Sequence, residues 1–235
     1  MSHQVNALGQ PIGLDVEGWV SCPRPPLVPL LGRWAHVLPL DAATHLDDLY
    51  DAISTDETGK MWTYLFNGPY TQKSDFAAYL ATAQASTDPL FYVICDASSG
   101  KAMGYANYLR IEPAMGVIEV GNIAMSPLLQ KTRIATEAIY LMMAHVFDDL
   151  GYRRFEWKCD TLNGPSKKAA RRFGFTYDGM FPQAVIYKGR NRDTAWFSII
   201  DKDWAEIKAG YETWLDPANF DADGVQKAPL VTREV

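Results

Sequence analysis

The chain has 235 residues, 48% of them hydrophobic and 21% charged, so it reads as one large globular domain or a domain with extensions. A formal net charge of −6 argues against a dedicated nucleic-acid binder, which would carry a basic footprint. The opening Met1-Ser-His-Gln-Val lacks a charged region followed by an apolar run, and no stretch approaches the ~18 apolar residues of a membrane span, so the expectation is a cytoplasmic protein.

Cys22, Cys95 and Cys159 lie far apart and near none of the histidines, with no metal-ligand spacing, which points to packed, reduced thiols and no metal. Residues 1–32 hold Pro11, Pro23, Pro25, Pro26 and Pro29 among several glycines and read as an irregular arm. Arg33 to Leu40 alternates as a first strand, and Asp41 or Thr44 caps a helix carrying Leu46, Leu49 and Ile53. Met61 to Tyr70 is an aromatic loop, and Gln72 to Ala85 a second helix. Leu90 to Cys95 and Ala102 to Ile111 form a hairpin through the turn Asp96 to Gly100, and Val117 to Met125 completes a meander.

Beyond Ser126-Pro127 a long helix begins near Thr132, with Ala135, Ala138, Ile139, Met142 and Val146 at helical steps, and Gly151 suits the left-handed position that ends it. Arg153 to Thr161 is a strand with Phe155, Trp157 and Cys159 on one face and Arg154, Glu156, Lys158 and Asp160 on the other. A short helix over 164–173 stops at Gly174. Strands near Phe175–Lys188 and Thr194–Ile200 are joined by Gly189 to Asp193. Past Asp201, Trp204, Ile207, Tyr211 and Trp214 share one side of a last helix.

The passage from strand to helix through Gln130-Lys-Thr-Arg-Ile-Ala-Thr136 leaves backbone N–H groups and a helix dipole aimed at one spot, a setting for phosphate; an ordinary strand-to-helix turn with solvated basic residues is the other reading. Gln130 to Ala135 resembles the Q/R-x-x-G-x-G/A pyrophosphate loop of the GNAT acyl-CoA-dependent N-acetyltransferases. Asn163-Gly-Pro-Ser166-Lys-Lys-Ala-Ala170-Arg-Arg-Phe-Gly174-Phe175 is similar to that superfamily's second signature. Ser166 with Ala170, and Lys188 to Ser198, look like the RimJ/RimL-type branch, and the resemblance runs from about Arg33 to Trp204.

What the resemblance implies is an α/β (mixed α+β) fold: a mainly antiparallel central sheet, helices on both faces, and splayed central strands between which acetyl-CoA enters. The chain then divides into an arm at 1–32, an acetyltransferase domain at 33–202, and a helix and tail at 203–235 packed on it. The implied activity is acetyl transfer from acetyl-CoA, the cosubstrate, to a primary amine such as a peptide N-terminus or a small molecule. A monomer or homodimer is expected, with no nucleic acid or membrane partner. A non-catalytic acyl-CoA-binding or sensing module is the first alternative, and a structural interaction protein with the aromatic last helix as its contact surface the second.

Cofactor contacts are expected at Asn122, Ala124 and Met125 on the strand edge, at Gln130, Lys131, Thr132, Arg133, Ile134, Ala135 and Thr136 in the loop, and at Asn163 and Ser166. Arg133 stands where the loop's first glycine belongs, so it either restricts the backbone's approach to the pyrophosphate or pairs with it. Glu119 is the candidate base, a strand carboxylate paired with a neighbour being the other reading, and Glu156 is held in reserve. The superfamily's usual tyrosine falls at Ala170, so Ser166 is the candidate hydrogen-bond partner for the departing sulfur; it also fits the first turn of a helix that Asn163 caps. Lys167, Lys168, Arg171 and Arg172 read either as a solvated helix face or as contacts to a 3′-phosphate.

Overall fold

The computed structural model describes residues 3–233, and the alternating segments assemble there into one mixed sheet of eight strands, with a separate two-stranded hairpin. The hairpin joins β1 (Gln4–Val5) to β2 (Pro11–Ile12). The large sheet contains β3 (Leu30–Leu31), β4 (Ala35–Pro39), β5 (Leu90–Asp96), β6 (Ala102–Glu112), β7 (Val117–Met125), β8 (Arg154–Asp160), β9 (Thr176–Tyr187) and β10 (Arg190–Ile200). Its order is β3-β4-β5-β6-β7-β8-β10-β9, antiparallel except between β7 and β8. The connection between these two carries α3 (Arg133–Ala144), the crossover that a parallel pair requires.

Helices cover both faces. On one side α1 (Ala42–Ser54) and α2 (Lys73–Gln84) bury Leu49, Ile53, Phe76 and Leu80 against Phe91, Val93 and Tyr105. On the other, α3 and α5 (Asp201–Trp214) bury Ala138, Ile139, Met142, Ile207 and Tyr211 with Tyr92, Tyr108 and Phe155. The short α4 (Gly164–Arg172) follows β8. Asp41 caps α1, its carboxylate accepting from the Thr44 N–H at 2.7 Å. Beyond Ala144 the long helix widens into a π turn over His145–Asp149, and Gly151 at φ 70° ends it. All three cysteines are buried free thiols.

Two expected loops are more regular than their composition suggests. β10 starts at Arg190, so the connection from β9 is only the tight turn at Lys188 and Gly189, with φ of 48° and 71°. Polar Arg190 to Asp193 reads as a loop by composition, yet it alternates as a strand: Arg192 is buried, and the Asp193 carboxylate accepts from the Gln183 N–H across the pair at 2.8 Å. The N-terminal arm is likewise not wholly irregular. It contains the hairpin and β3, and its second half is tied down: Trp19 Nε1 donates to Ala114 O at 2.9 Å, and the hydroxyls of Tyr92 and Tyr152 donate to the carbonyls of Pro26 and Pro23 at 2.8 and 3.1 Å. Residues 1–2 and 234–235, at the ends of the two expected extensions, lie outside the described residues.

One buried carboxylate fixes α3 to the sheet edge. Glu137 accepts from the backbone N–H groups of Arg33 at 3.0 Å, of Ala35 at 2.6 Å, and of Trp34 between them. Charge-assisted bonds of this kind contribute about 1.5–3 kcal/mol each, and alanine would leave buried donors unpaired. Glu137→Ala is expected to destabilise the fold by about 3 kcal/mol, read as a melting temperature lower by roughly 10 °C.

Candidate active site

The cleft begins where two strands part. β7 and β8 pair in register only from Val117 with Arg154 to Val120 with Trp157. Beyond that point β7 bulges: Tyr105 faces Ala124 and Asn107 faces Gly121, so β7 carries one more residue than β6 between these pairs. Asn122 occupies the left-handed region at φ 47°, and its amide donates to the Tyr79 hydroxyl at 3.2 Å. Gly121 to Met125 therefore have no partner on the β8 side. β8 continues through Lys158 to Asp160 paired with β10 alone. The result is a cleft of about 560 Å³, lined by Glu119 to Ile123 of β7, Trp157 to Asp160 of β8, Asn163 and Ser166 of α4, and the aromatic loop.

Glu119 lies at the vertex of this V. Its carboxylate is buried, 2.7 Å from Lys158 Nζ and 3.2 Å from Arg110 Nε. Burial pushes its pKa up, against the pull of Lys158 and Arg110 in the other direction. Gly121 makes room for it, since a Cβ there would meet Glu119 Oε1 and Leu109 at 3.0 Å. Arg110 reaches the carboxylate from a second bulge, in β6, where it sits at φ 48° with its N–H held by Asp88 at 3.0 Å. Glu156 behaves oppositely. Burial would raise its pKa, but hydrogen bonds from Lys158 and Arg154 outweigh that and hold it low, so the reserve candidate is the poorer base of the two.

At the far end of β7 the loop folds back on itself. Gln130 Nε2 donates to Met125 O at 2.9 Å, Lys131 adopts φ 64°, and Thr132 caps α3 by accepting from the Ala135 N–H at 3.1 Å. A helix beginning at Arg133 lacks acceptors for its first-turn N–H groups, which leaves those of Arg133 and Ile134 for a ligand or solvent. The Arg133 guanidinium is stacked 3.7 Å from the centre of the Trp34 ring and 5.4 Å from that of Phe220. Thr136 accepts from Arg172 Nη1 at 3.1 Å, which joins α4 to the start of α3. Ala124 and Ala135 are buried, so only their backbone can serve a ligand.

Asn163 caps α4, accepting from the Ser166 N–H at 3.1 Å, and both residues line the cleft. The Ser166 hydroxyl accepts from Trp157 Nε1 at 2.9 Å and turns its own proton towards the Cys159 thiol. Within the basic cluster, Lys167 Nζ donates to Thr161 O and the Arg171 guanidinium lies 5.5 Å from the centre of the Phe197 ring, while Lys168 is exposed.

Sequence reasoning missed the second half of the cleft. Lys158, one of four polar residues on its strand face, bridges Glu119 and Glu156 and lies 3.8 Å from the centre of the Trp196 ring. Arg192, Thr194 and Trp196, alternate residues of β10, form another wall, which meets the aromatic loop where Arg192 lies 5.6 Å from the centre of the Phe66 ring. In that loop, Asn67 donates to the Tyr105 hydroxyl at 3.1 Å. The β7 bulge did have a signal, a lone glycine (Gly121) within a strand pattern.

The family model described as an acetyltransferase (GNAT) domain matches residues 37–176. A GCN5-related N-acetyltransferase from Brucella melitensis is 45% identical, with a TM-score of 0.89 over 92% of this chain and 97% of that one. A GNAT-family protein from Chromobacterium violaceum is 39% identical, with a TM-score of 0.77 over 83% and 98% of the two chains. The microcin C7 self-immunity acetyltransferase, solved in complex with acetyl-CoA and AMP, shares the fold at 21% identity and a TM-score of 0.63 over 72% and 93%. No curated protein matches. With its splayed strands, bulged edge and family match in one continuous region, the chain belongs to the GNAT family of N-acetyltransferases, enzymes that use acetyl-CoA.

Proposed function

We infer that the protein moves an acetyl group from acetyl-CoA directly to a primary amine bound in the cleft, in the cytoplasm and in the manner of the RimJ/RimL-like branch. The observation that carries this reading is Glu119, a buried carboxylate of raised pKa at the point where β7 leaves β8. An amine must be neutral to attack, and α-amino and lysine groups titrate near ~8 and ~10.4, so a base is needed near neutral pH. Glu119 takes the amine proton, directly or through water, as the C–N bond forms and the thioester C–S bond breaks. The free edge of β7 between Gly121 and Met125 suits the pantetheine amides, which add to it as a strand would. A backbone N–H near Met125 serves the charge developing on the thioester oxygen. The first turn of α3 and the loop from Gln130 to Thr136 take the pyrophosphate.

Ser166 supports the departing sulfur: Trp157 occupies one lone pair, and the hydroxyl proton, held only by the weakly accepting Cys159 thiol, turns to the stronger acceptor as the thiolate forms. Ser166→Ala is expected to lower turnover about tenfold at every pH, with acetyl-CoA affinity little changed, because the bond strengthens only as the thiolate forms. A melting curve separates this from loss of the Trp157 partner. The activity itself is tested by thiol release from acetyl-CoA across N-terminal peptides, polyamines and small amines. Release that depends on the amine supports transfer, whereas binding of acetyl-CoA without release under any amine would make the chain a binding module.

A further inference from the structure

Arg192 is 92% buried by its 8% residual exposure and lines the same cleft as Glu119 and Ser166, and its side chain makes no hydrogen bond or ion pair among the described residues. Its Nε is a buried donor without an acceptor. Its recorded contacts are ring faces, with the guanidinium carbon 5.6 Å from the centre of Phe66 and 6.0 Å from that of Tyr187. Asp160, a carboxylate of the same cleft paired across from Thr194, already accepts from the Tyr187 hydroxyl at 2.9 Å and the Leu162 N–H at 2.8 Å. The other buried cation of the cleft, Lys158, is paired twice, with Glu119 and Glu156. Apart from Glu119 Oε2, which is ion-paired, two further buried polar atoms without hydrogen-bond partners belong to residues of this cleft: Thr194 Oγ1, two positions along β10 from Arg192, and Asn67 Oδ1, next to Phe66 in the aromatic loop.

A guanidinium whose buried Nε has no acceptor is costly, and its planar fork matches a carboxylate in two parallel bonds. Resting on the acetyl-transfer reading, we propose that the amine acceptor also carries a carboxylate, which Arg192 binds at the β10 wall with the Thr194 hydroxyl as a further donor. The spacing along the strand sets the reach. Arg192 lies four residues, about 13 Å, from Trp196, the level at which Lys158 meets Glu119. The extended Arg192 side chain covers part of that distance, so the acceptor's amine and carboxylate are separated by several bonds, as in a dipeptide or an ω-amino acid.

The test compares dipeptides and ω-amino acids with their C-terminal amides in the full-length enzyme. Wild type is expected to favour the acids by about tenfold or more in kcat/KM, mostly through KM, since a bond to a charged group contributes on that order. Arg192→Gln should abolish the preference, lowering kcat/KM for the acids about tenfold more than for the amides; Arg192→Lys should restore part of it. A purely packing role between Phe66 and Tyr187 would lower stability without moving the acid-to-amide ratio. No preference in wild type, or one that survives Arg192→Gln, overturns the proposal. Calorimetry with N-acetyl-glycylglycine as the probe, in wild type and Arg192→Gln, answers the same question without turnover. Binding lost in the variant supports the carboxylate site even if no amine is acetylated, while equal binding, or none to wild type, sinks it.

Discussion

Replacing Glu119 with glutamine should lower kcat by about a hundredfold near neutral pH and by much less at high pH, where the amine is already neutral. The sign follows from the carboxylate's surroundings. A base acts only when deprotonated, so the rate should climb as pH rises through the Glu119 pKa. Burial has moved that pKa up from the ordinary 4.5, so the acid limb of the wild-type profile should lie above that value. Lys158 and Arg110 oppose the shift, and Glu156, linked through Lys158, adds to it. In Glu119→Gln this limb should vanish, and the residual rate should follow ionisation of the amine alone. A deficit of equal size at every pH would instead make Glu119 a structural or acceptor-binding carboxylate. Because the glutamine retains the size of the side chain beside Gly121, the variant should still fold.

Removing everything after Asp201 should abolish the stable fold. Trp204, Ile207, Tyr211 and Trp214 are buried along one side of α5, and each such side chain contributes about 2–3 kcal/mol on burial. The sum approaches the whole stability of an ordinary domain, roughly 5–15 kcal/mol. The contacts are also specific. Trp204 Nε1 donates to Asp148 at 2.7 Å, and the Tyr211 hydroxyl donates to Phe173 O at 3.2 Å. The tail beyond the helix returns to the start of α3. Phe220 packs edge-on to both Trp214 and Trp34, and the same Trp34 ring carries Arg133. A truncated chain that remained folded, by melting curve and solubility, would make α5 a detachable element rather than part of the acetyltransferase unit.

These two elements differ in how plainly the sequence announced them. The buried stripe of α5 recurs at helical spacing, so Trp204 to Trp214 could be read from periodicity alone. The meander, the crossover helix and the lone parallel strand pair were equally open, because strand alternation and the helix-stopping glycines are local signals. The cleft depends instead on partners far apart in the chain. Nothing in the order of residues says that Lys158 joins Glu119 to Glu156, or that Asp88 holds Arg110 so that it reaches Glu119. Arg192 was hidden for a different reason: a strand end that turns arginines, asparagine and aspartate towards a cleft and a turn has the composition of a loop. Glu137 looked like any other residue of its helix until the tertiary fold brought the backbone of residues 33–35 onto it.

Direct transfer is tested most plainly by following both products and the protein in one reaction. With acetyl-CoA and an accepted amine, free thiol and acetylated amine should appear in equal amounts. The intact mass of the enzyme, incubated with acetyl-CoA alone, should stay unchanged. The three cysteines are buried thiols, and burial raises the pKa of each, so none is poised as a nucleophile. An enzyme heavier by one acetyl group, formed without amine and discharged when amine is added, would contradict direct attack in the cleft and require a covalent relay.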